Sequence, residues 1–209
     1  LLSGRSKFSG GNNSYMAGPA DGIHVGTNTS FTWCFTIKPA STPAGNYDVL
    51  GVGDGVFGGN AEYRIYMSGS SIYFRLYSNT TTTTVSAALT AGTEYIVFMV
   101  YDSVNQQISI KTTASAPTTA AHTYGCRAMY GALTVGNSCG APTTTVNITL
   151  LPSINSSMGN MMFWGSTALT AAEQTTVRTY LLANGFPWAA MPEVDYTLDP
   201  DSLDSAVKK

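Results

Sequence analysis

Short apolar segments recur along the chain from Phe31 to Trp164, and Gly, Pro, Asn and Ser separate them. Aromatic and β-branched residues dominate these segments, which is typical of β-strands. The pattern predicts strands over 31–38, 47–53, 61–67, 71–78, 94–102, 106–113, 133–137 and 159–165. Short polar turns at 68–70 and 103–105 join successive strands as hairpins. The sequence therefore predicts an all-β fold made of two antiparallel sheets.

One segment near the C-terminus has helical character instead. Thr170 and Glu173 have the spacing of a capping box, in which each residue satisfies a backbone N–H of the other. Val177 and Leu181 follow at helical spacing, and Asn184 precedes a glycine that would end the helix. We expect one short C-terminal helix from about residue 170 to 183.

The composition changes beyond residue 188. Two prolines and five acidic residues crowd this segment: Pro192, Glu193, Asp195, Asp199, Pro200, Asp201 and Asp204. Such a composition is typical of an extended segment that does not join a core. The sequence thus predicts a β-sandwich domain over 1–188 and an extended acidic C-terminal tail over 189–209.

Charge is scarce in this chain. Asp, Glu, Lys and Arg make up 11% of the residues, against about 25% in an average globular protein. The formal net charge is −2 and the ten basic residues are scattered, so no basic stripe could track a phosphate backbone. The longest apolar runs, 95–101 and 161–164, are too short to cross a bilayer. We therefore expect neither nucleic-acid binding nor membrane insertion.

Cysteines and acidic loops give no basis for a metal or another cofactor. Cys34 lies in an apolar strand pattern, where a buried free thiol is expected. Cys126 and Cys139 flank a glycine-rich segment and could form a loop disulfide or remain free thiols. Asp54 and Asn60 make the best calcium-type loop, but one carboxylate is too little charge for such a site. We expect no metal and no cofactor.

Catalytic constellations are not evident either. Glycoside hydrolysis needs two carboxylates on opposite sides of the scissile bond. Glu62 and Glu94 are isolated strand residues that we expect to be solvated. His24 and His122 occur in loop-like contexts without a nucleophile motif, and we expect both at the surface. We therefore expect no catalytic residues and a protein that is not an enzyme.

Alternation along three strands predicts a more informative surface. In 61–67, 71–78 and 94–102, every second residue suits a core. The predicted inward set is Tyr63, Ile65, Met67, Ile72, Phe74, Leu76, Ile96, Phe98 and Val100. The same alternation points Glu62 and Met99 outward, together with the candidate carbohydrate- or partner-binding site, which is Arg64, Tyr66, Tyr73, Arg75, Tyr77, Tyr95 and Tyr101. Aromatic rings stack on the C–H faces of sugars and are equally suited to a protein neighbour.

The order of these elements resembles the concanavalin A-like lectin and glucanase superfamily, including laminin-G-like jelly rolls. The likeness covers about residues 7–188 and is most specific at 168–185, which looks like the final strand-to-helix segment of the family. It implies a jelly-roll sandwich and lectin-like recognition. The chain lacks the Tyr-Val-Asp-Gly string that the family often has, with Ile-Ser-Ile-Lys-Thr at 108–112 instead. It also lacks the glucanase string Glu-x-Asp-x-x-Glu.

The low charge and the threonine run at 80–84 resemble bacteriophage virion proteins, especially fibres and capsid decorations, and secreted bacterial adhesion modules look similar. We therefore expect a non-catalytic, lectin-like surface module. It would bind carbohydrate, decorate a larger assembly such as a phage capsid or fibre, or do both, on a virion surface or outside the cell. Its partners would be glycans or neighbouring protein subunits, including copies of itself. The alternative is a polysaccharide-degrading enzyme of the same fold.

Overall fold

The computed structural model describes residues 5–8, 16–17, 23–53, 61–78, 81–113, 115–126, 129–131, 133–135, 157–184 and 193–196. In chain order, these residues form β1 (Arg5–Phe8), β2 (Met16–Ala17), β3 (Ile23–Val25), β4 (Phe31–Lys38), β5 (Asn46–Gly53), β6 (Ala61–Ser68), β7 (Ser71–Tyr77), β8 (Thr82–Ala88), β9 (Tyr95–Asp102), β10 (Gln107–Thr112), β11 (Thr118–Ala121), β12 (Met129–Gly131), β13 (Leu133–Val135), β14 (Ser157–Trp164), α1 (Ala171–Ala183) and β15 (Glu193–Tyr196).

Two main sheets account for most of these strands. Within the described residues, a seven-stranded sheet has the order β11-β10-β9-β4-β14-β1-β15 and a six-stranded sheet has the order β2-β13-β5-β6-β7-β8. A separate pair joins β3 and β12. Apart from the parallel pair β1–β15, the strand pairings are antiparallel. The predicted two-sheet antiparallel sandwich with one short helix is confirmed.

An aromatic-rich core fills the space between the two sheets. Phe31 on β4 contacts Tyr63 on β6 and Phe74 on β7, with ring centroids 5.3 and 6.1 Å apart. Each of these side chains is fully buried. Because side chains alternate along a strand, the neighbours of Phe74 on β7 point away from this core. The core therefore fixes which residues of β7 reach the outer surface.

The hairpin that joins β6 to β7 sets the register of the outer surface. Gly69 and Ser70 form its two-residue turn, and Gly69 has φ 55°, a backbone conformation that glycine adopts without steric cost. Pairing then runs without interruption from Ser68 opposite Ser71 to Tyr63 opposite Leu76. A slip of one residue would exchange the inner and outer faces, so this register decides the composition of both.

Helix α1 begins with the predicted capping box. Thr170 Oγ1 accepts a hydrogen bond from the Glu173 backbone N–H at 3.3 Å, and a Glu173 carboxylate oxygen accepts one from the Thr170 N–H at 2.8 Å. The helix ends at Ala183, with Asn184 as its C-cap. Leu181 packs on the outer face of the seven-stranded sheet in a small cluster with Cys34, Ile96 and Phe98. The helix prediction is confirmed.

Strand β9 has the opposite orientation to the one predicted from its alternation. Tyr95 and Tyr101 face the core between the sheets, whereas Ile96 and Phe98 point toward α1. The helix covers the outer face of β9, so both faces are buried and the apolar run Tyr95–Tyr101 is almost continuous. Alternation in such a run does not reveal which face is which. The expected outward orientation of Tyr95 and Tyr101 is therefore wrong.

Part of the expected C-terminal tail is incorporated into a sheet. Glu193–Tyr196 forms β15, which pairs in parallel with β1 at the edge of the seven-stranded sheet. These four residues are thus not a free extension. The predicted domain boundary at residue 188 stays a prediction, because 185–192 and 197–209 lie outside the described residues.

The described cysteines are free and buried. Cys34 has the predicted buried thiol, and desolvation raises its pKa far above the ordinary value. Of the two alternatives left open for Cys126, the structure has the free thiol. Cys139 lies outside the described residues, as does the loop that contains Asp54 and Asn60. Neither described thiol has the exposed, electropositive surroundings of a reactive cysteine.

His122 is buried, contrary to the expected surface position, and it connects the two sheets. One ring nitrogen, Nε2, lies 3.0 Å from the Gly125 carbonyl and must donate to it, so Nδ1 accepts from the Thr83 hydroxyl at 2.7 Å. Thr83 belongs to β8 of the six-stranded sheet, whereas His122 follows β11 of the other sheet. The side chain is fully buried, and its desolvation lowers the pKa below the usual 6.5.

This environment predicts a loss of stability in mild acid. The unfolded state binds a proton near pH 6.5 whereas the folded state binds it only at lower pH, so the free energy of unfolding falls as the pH drops through that window. We expect the wild-type protein to lose stability as the pH falls below about 6.5, before most carboxylates titrate. Urea denaturation at several pH values measures this. His122→Gln should flatten the dependence; an unchanged slope would contradict the assignment to His122.

Candidate functional site

The outer face of the six-stranded sheet carries most of the predicted site. Direct cross-strand pairs place Arg64 opposite Arg75 and Tyr66 opposite Tyr73 on β6 and β7. Paired residues of an antiparallel ladder project to the same side, so these four side chains form one patch, with Tyr77 next along β7. We call this patch the tyrosine–arginine face; its residues are Arg64, Tyr66, Tyr73, Arg75 and Tyr77.

Tyr66 is the centre of the tyrosine–arginine face. Its ring stacks on that of Tyr73, with centroids 4.9 Å apart and an interplanar angle of 7°. The guanidinium carbons of Arg64 and Arg75 lie 4.7 and 5.2 Å from the centroid of the Tyr66 ring. Arg75 Nη2 also donates a hydrogen bond to the Tyr66 hydroxyl at 3.0 Å. Stacking, cation–π contacts and a hydrogen bond thus join four side chains into one unit.

The members of this face differ in accessibility. Tyr66 is only 5% exposed to solvent and Arg64 only 7%. The three residues on β7, Tyr73, Arg75 and Tyr77, are half-buried. Alternation in the sequence predicts on which side of the sheet a residue lies. It does not predict how far the neighbouring side chains cover that residue. A ligand on this face would therefore contact the β7 row of Tyr73, Arg75 and Tyr77, and the two covered residues would hold that row in place.

A row of hydroxyl groups lies beside the β7 row on the edge strand β8. In the β7–β8 register, Ser86, Thr84 and Thr82 are opposite Tyr73, Arg75 and Tyr77 in that order. Arg75 Nε donates to Thr84 Oγ1 at 3.2 Å, so two contacts fix the guanidinium. These hydroxyls are not among the residues predicted for the site. The polar alternation in 82–86 could have indicated them, but only after the pairing partner of β8 was known.

The face carries two arginines, and the register also places Asp48 opposite Tyr66. Arg64 and Arg75 are directly opposed, an arrangement that is unfavourable unless other groups compensate it. The described contacts of Arg75 are with Tyr66 and Thr84, and no carboxylate among the described side chains pairs with it. Burial raises the pKa of Tyr66, and the two arginines act in the opposite direction. The Tyr66 hydroxyl therefore stays neutral at physiological pH.

Tyr95 and Tyr101 do not join this face. They lie on the other sheet and point into the core, where each meets a specific partner. Tyr95 Oη accepts a hydrogen bond from the Thr90 backbone N–H at 2.8 Å, and the Tyr101 ring packs edge-on against His122 at 5.8 Å. Burial raises the pKa of Tyr101 to about 12. Both are structural residues, so they are not accessible to a ligand.

The acidic residues singled out in the sequence do not come together as a pair in the described part of the chain. Glu94 is largely covered and lies 3.6 Å from the Lys38 ammonium, so it is not the solvated acid that was expected. Glu62 lies within β6 on the other sheet. No cluster of three or more metal-ligating side chains occurs among the described residues. None of the described helices is long and apolar enough to span a membrane.

Comparison with known proteins supports the fold independently of the sequence pattern. No family model and no curated protein matches the sequence. Solved structures do match. A heptameric SAP-like pentraxin from Limulus polyphemus has a TM-score of 0.58 and 16% identity over 82% of this chain and 79% of its own. The CBM40 of the Ruminococcus gnavus IT-sialidase has a TM-score of 0.55 and 14% identity, over 78% of this chain and 97% of its own.

A third similar structure is the ligand-binding domain of botulinum neurotoxin serotype D, solved in complex with N-acetylneuraminic acid. Its TM-score is 0.65 and its identity 7%, over 83% of this chain but only 41% of the toxin chain. At such identities the likeness concerns the fold alone. The chain thus has the two-sheet, jelly-roll architecture that the resemblance implied.

Proposed function

We propose that this chain is a non-catalytic carbohydrate-binding module and that it binds its ligand on the tyrosine–arginine face. The observation that carries the proposal is the β7 row, in which half-buried Tyr73, Arg75 and Tyr77 lie beside the β8 hydroxyls. Sugar rings combine an apolar C–H face with hydroxyl groups, so they need an aromatic surface with hydrogen-bonding groups close by. This face offers both on neighbouring strands.

Contacts within the tyrosine–arginine face hold its side chains in place. This order favours a role in ligand binding over a chance exposure of tyrosines. Tyr66 supports the ring of Tyr73 from one side, and Arg75 is held by both Tyr66 and Thr84. Side chains that are already ordered lose less conformational entropy when a ligand arrives. Tyr66 and Arg64 therefore act as positioning residues, and the residues that touch the ligand are those of the β7 row.

Arg75 narrows the proposed ligand class. Among the side chains that the structure describes, no carboxylate pairs with its guanidinium, and a second arginine lies opposite. A guanidinium binds carboxylate in a bidentate geometry that a neutral hydroxyl cannot match. We therefore expect acidic glycans to bind more tightly than neutral ones. Two of the fold neighbours carry related descriptions, a complex with N-acetylneuraminic acid and a module of a sialidase, which supports this class.

The wider setting follows from the same proposal. The module would act outside the cell or on a virion surface, where low charge and a hydroxyl-rich surface are common. It could there also decorate a capsid or fibre, with neighbouring subunits as additional partners. One fold neighbour is described as a heptamer, which makes self-association worth measuring. Particle-size measurement on this chain distinguishes a monomeric lectin from an assembly subunit.

A comparison of glycan binding by the wild type and by Tyr73→Ala tests whether the tyrosine–arginine face is the binding site. We expect the wild type to bind acidic glycans on an array and the variant to bind about two- to tenfold more weakly, because one stacked ring contributes about 0.5–1.5 kcal/mol. The matched control is Tyr180→Ala, which removes a tyrosine on α1 that is 56% exposed. This control should bind like the wild type. Equal binding by all three proteins would refute the tyrosine–arginine face as the site.

The alternative of a polysaccharide-degrading enzyme predicts a different outcome. Glu94 forms an ion pair with Lys38 at the end of β4, whereas Glu62 belongs to β6 of the other sheet. Glycoside hydrolysis needs two carboxylates at one scissile bond. We expect no release of reducing sugar from the glycans that the array identifies. Release that disappears in Glu94→Gln or Glu62→Gln, with the fold intact by circular dichroism, would establish the enzyme instead.

A further inference from the structure

A pocket of about 270 Å³ lies on the outer face of the seven-stranded sheet, on the opposite side of the sandwich from the tyrosine–arginine face. Strand β10 provides its floor, and the segment leading into α1 provides one wall. Its volume is just below the ~300–1,000 Å³ of usual small-molecule sites. The pocket is thus sized for a compact ligand.

The floor of this pocket is a row of polar side chains. Along β10, Ile108 and Ile110 are buried in the core, so Gln107, Ser109 and Lys111 project outward into the pocket. In the register of the sheet, Ser109 lies between Val100 on β9 and Thr119 on β11. Ser109 is therefore the middle of the floor, with the amide at one end and the ammonium at the other.

The wall beside α1 is fixed by hydrogen bonds to the sheet. Thr32 Oγ1 on β4 donates to the Thr167 carbonyl and accepts from the Leu169 backbone N–H, both at 2.9 Å. Gln174 Nε2 donates to the Leu169 carbonyl at 2.8 Å. These bonds hold the segment that precedes the helix against the sheet. The pocket therefore has a rigid shape before any ligand is present.

The polar groups of the floor have unused hydrogen-bonding capacity. The side chains of Gln107, Ser109 and Lys111 are half-buried and make no hydrogen bond or ion pair with the described part of the chain. Asp102, opposite Gln107, accepts instead from Val104 N and from Asn105 N and Nδ2. Because these groups are accessible and make no bond within the described part of the chain, their donors and acceptors are available to a ligand.

The charges of the pocket are separated along its length. Asp102 lies opposite Gln107 in the register of the sheet. Lys111 lies four residues beyond Gln107 along β10, a distance of about 13 Å at the usual rise of a strand. Burial acts to raise the pKa of Asp102, but the hydrogen bonds from Asn105 and Val104 lower it below its usual value. Asp102 is thus anionic and accepts hydrogen bonds, whereas Lys111 offers a cation. A negative group would be attracted to the Lys111 end only.

We infer that this pocket is a second binding site, for a small hydroxylated carboxylate of about the size of one sugar ring, such as a uronic acid. The carboxylate pairs with Lys111, and the ring lies over Ser109. Ring hydroxyls bond to Ser109 and Gln107, and a hydroxyl at the far end donates toward Asp102. Val100 and Ala168 give the apolar contact for one ring face. The site is separate from the tyrosine–arginine face and does not depend on it.

Nuclear magnetic resonance of the ¹⁵N-labelled full chain, titrated with D-glucuronate and with D-glucose, tests this inference. We expect glucuronate to give saturable shifts in the amides of β10 and of 168–171, and glucose to bind at least tenfold more weakly. Lys111→Met should weaken glucuronate binding at least tenfold, whereas Lys111→Arg should retain most of it.

Two controls separate this site from general charge effects and from the proposed glycan site. Lys38→Met removes a lysine elsewhere on the same sheet and should not change the glucuronate shifts. Tyr73→Ala should not change them either, because it affects only the tyrosine–arginine face. Absent shifts, equal binding of glucose and glucuronate, or equal weakening by Lys38→Met would each overturn the inference. Loss through Tyr73→Ala would assign the binding to the other face.

Discussion

Phe74→Ala should cost about 3–5 kcal/mol of the free energy of unfolding, the usual range for emptying a buried aromatic site. Phe74 is fully buried and contacts the ring of Phe31 on the opposite sheet and the ring of Tyr63 on the neighbouring strand of its own sheet. Alanine would leave a cavity at the point where both sheets meet, and close packing prevents the neighbouring rings from filling it. Urea denaturation monitored by tryptophan fluorescence measures the loss.

Tyr73→Ala is the matched control, because Tyr73 is the adjacent residue on the same strand and faces outward. It should cost only about 0.5–1.5 kcal/mol, the contribution of its stack on Tyr66. The ratio of the two losses in the free energy of unfolding therefore tests which face of β7 points into the core. If Tyr73→Ala unfolds the protein while Phe74→Ala is tolerated, the two faces of β7 have been assigned backwards and the proposed site is lost.

Tyr63→Phe should destabilise the protein by about 1–3 kcal/mol, although it removes a single oxygen atom. The Trp33 indole N–H donates to the Tyr63 hydroxyl at 2.6 Å, and both side chains are buried in the core. Without the hydroxyl, the indole N–H loses this acceptor in an apolar environment. Chemical denaturation measures the loss of stability, and the indole N–H resonance of Trp33 should shift.

The control for this change is Tyr73→Phe, which removes the same atom from a half-buried tyrosine on the outer face. We expect its effect on the free energy of unfolding to be within about 0.5 kcal/mol, as for most surface substitutions. Equal destabilisation by both variants would show that the Trp33–Tyr63 hydrogen bond is not the cause of the effect.

Strand β7 shows what the sequence can predict. It has the core on one side and a partly exposed surface on the other, so its apolar and polar residues alternate strictly and the burial of all seven follows. The helix was equally predictable, because a capping box is a local signal. In these elements the decisive interactions lie within the segment or directly beside it.

Strand β9 shows where the sequence does not suffice. Its two faces are covered by different parts of the protein, the opposite sheet and α1, and a nearly continuous apolar run cannot indicate which part covers which face. The covering of Tyr66 by Tyr73 and two arginines depends on cross-strand register. The burial of His122 depends on a contact between strands distant in sequence. These contacts depend on how strands pair and pack in the folded chain, so a local sequence pattern does not predict them.

The most direct test of the proposed function is a map of the amide shifts caused by the acidic glycan that binds best on the array. We expect the largest shifts on β7 and β8, around Tyr73, Arg75 and Thr84, and we expect Arg75→Ala to remove most of them. Shifts confined to other strands, or a map that Arg75→Ala leaves unchanged, would contradict glycan recognition by the tyrosine–arginine face.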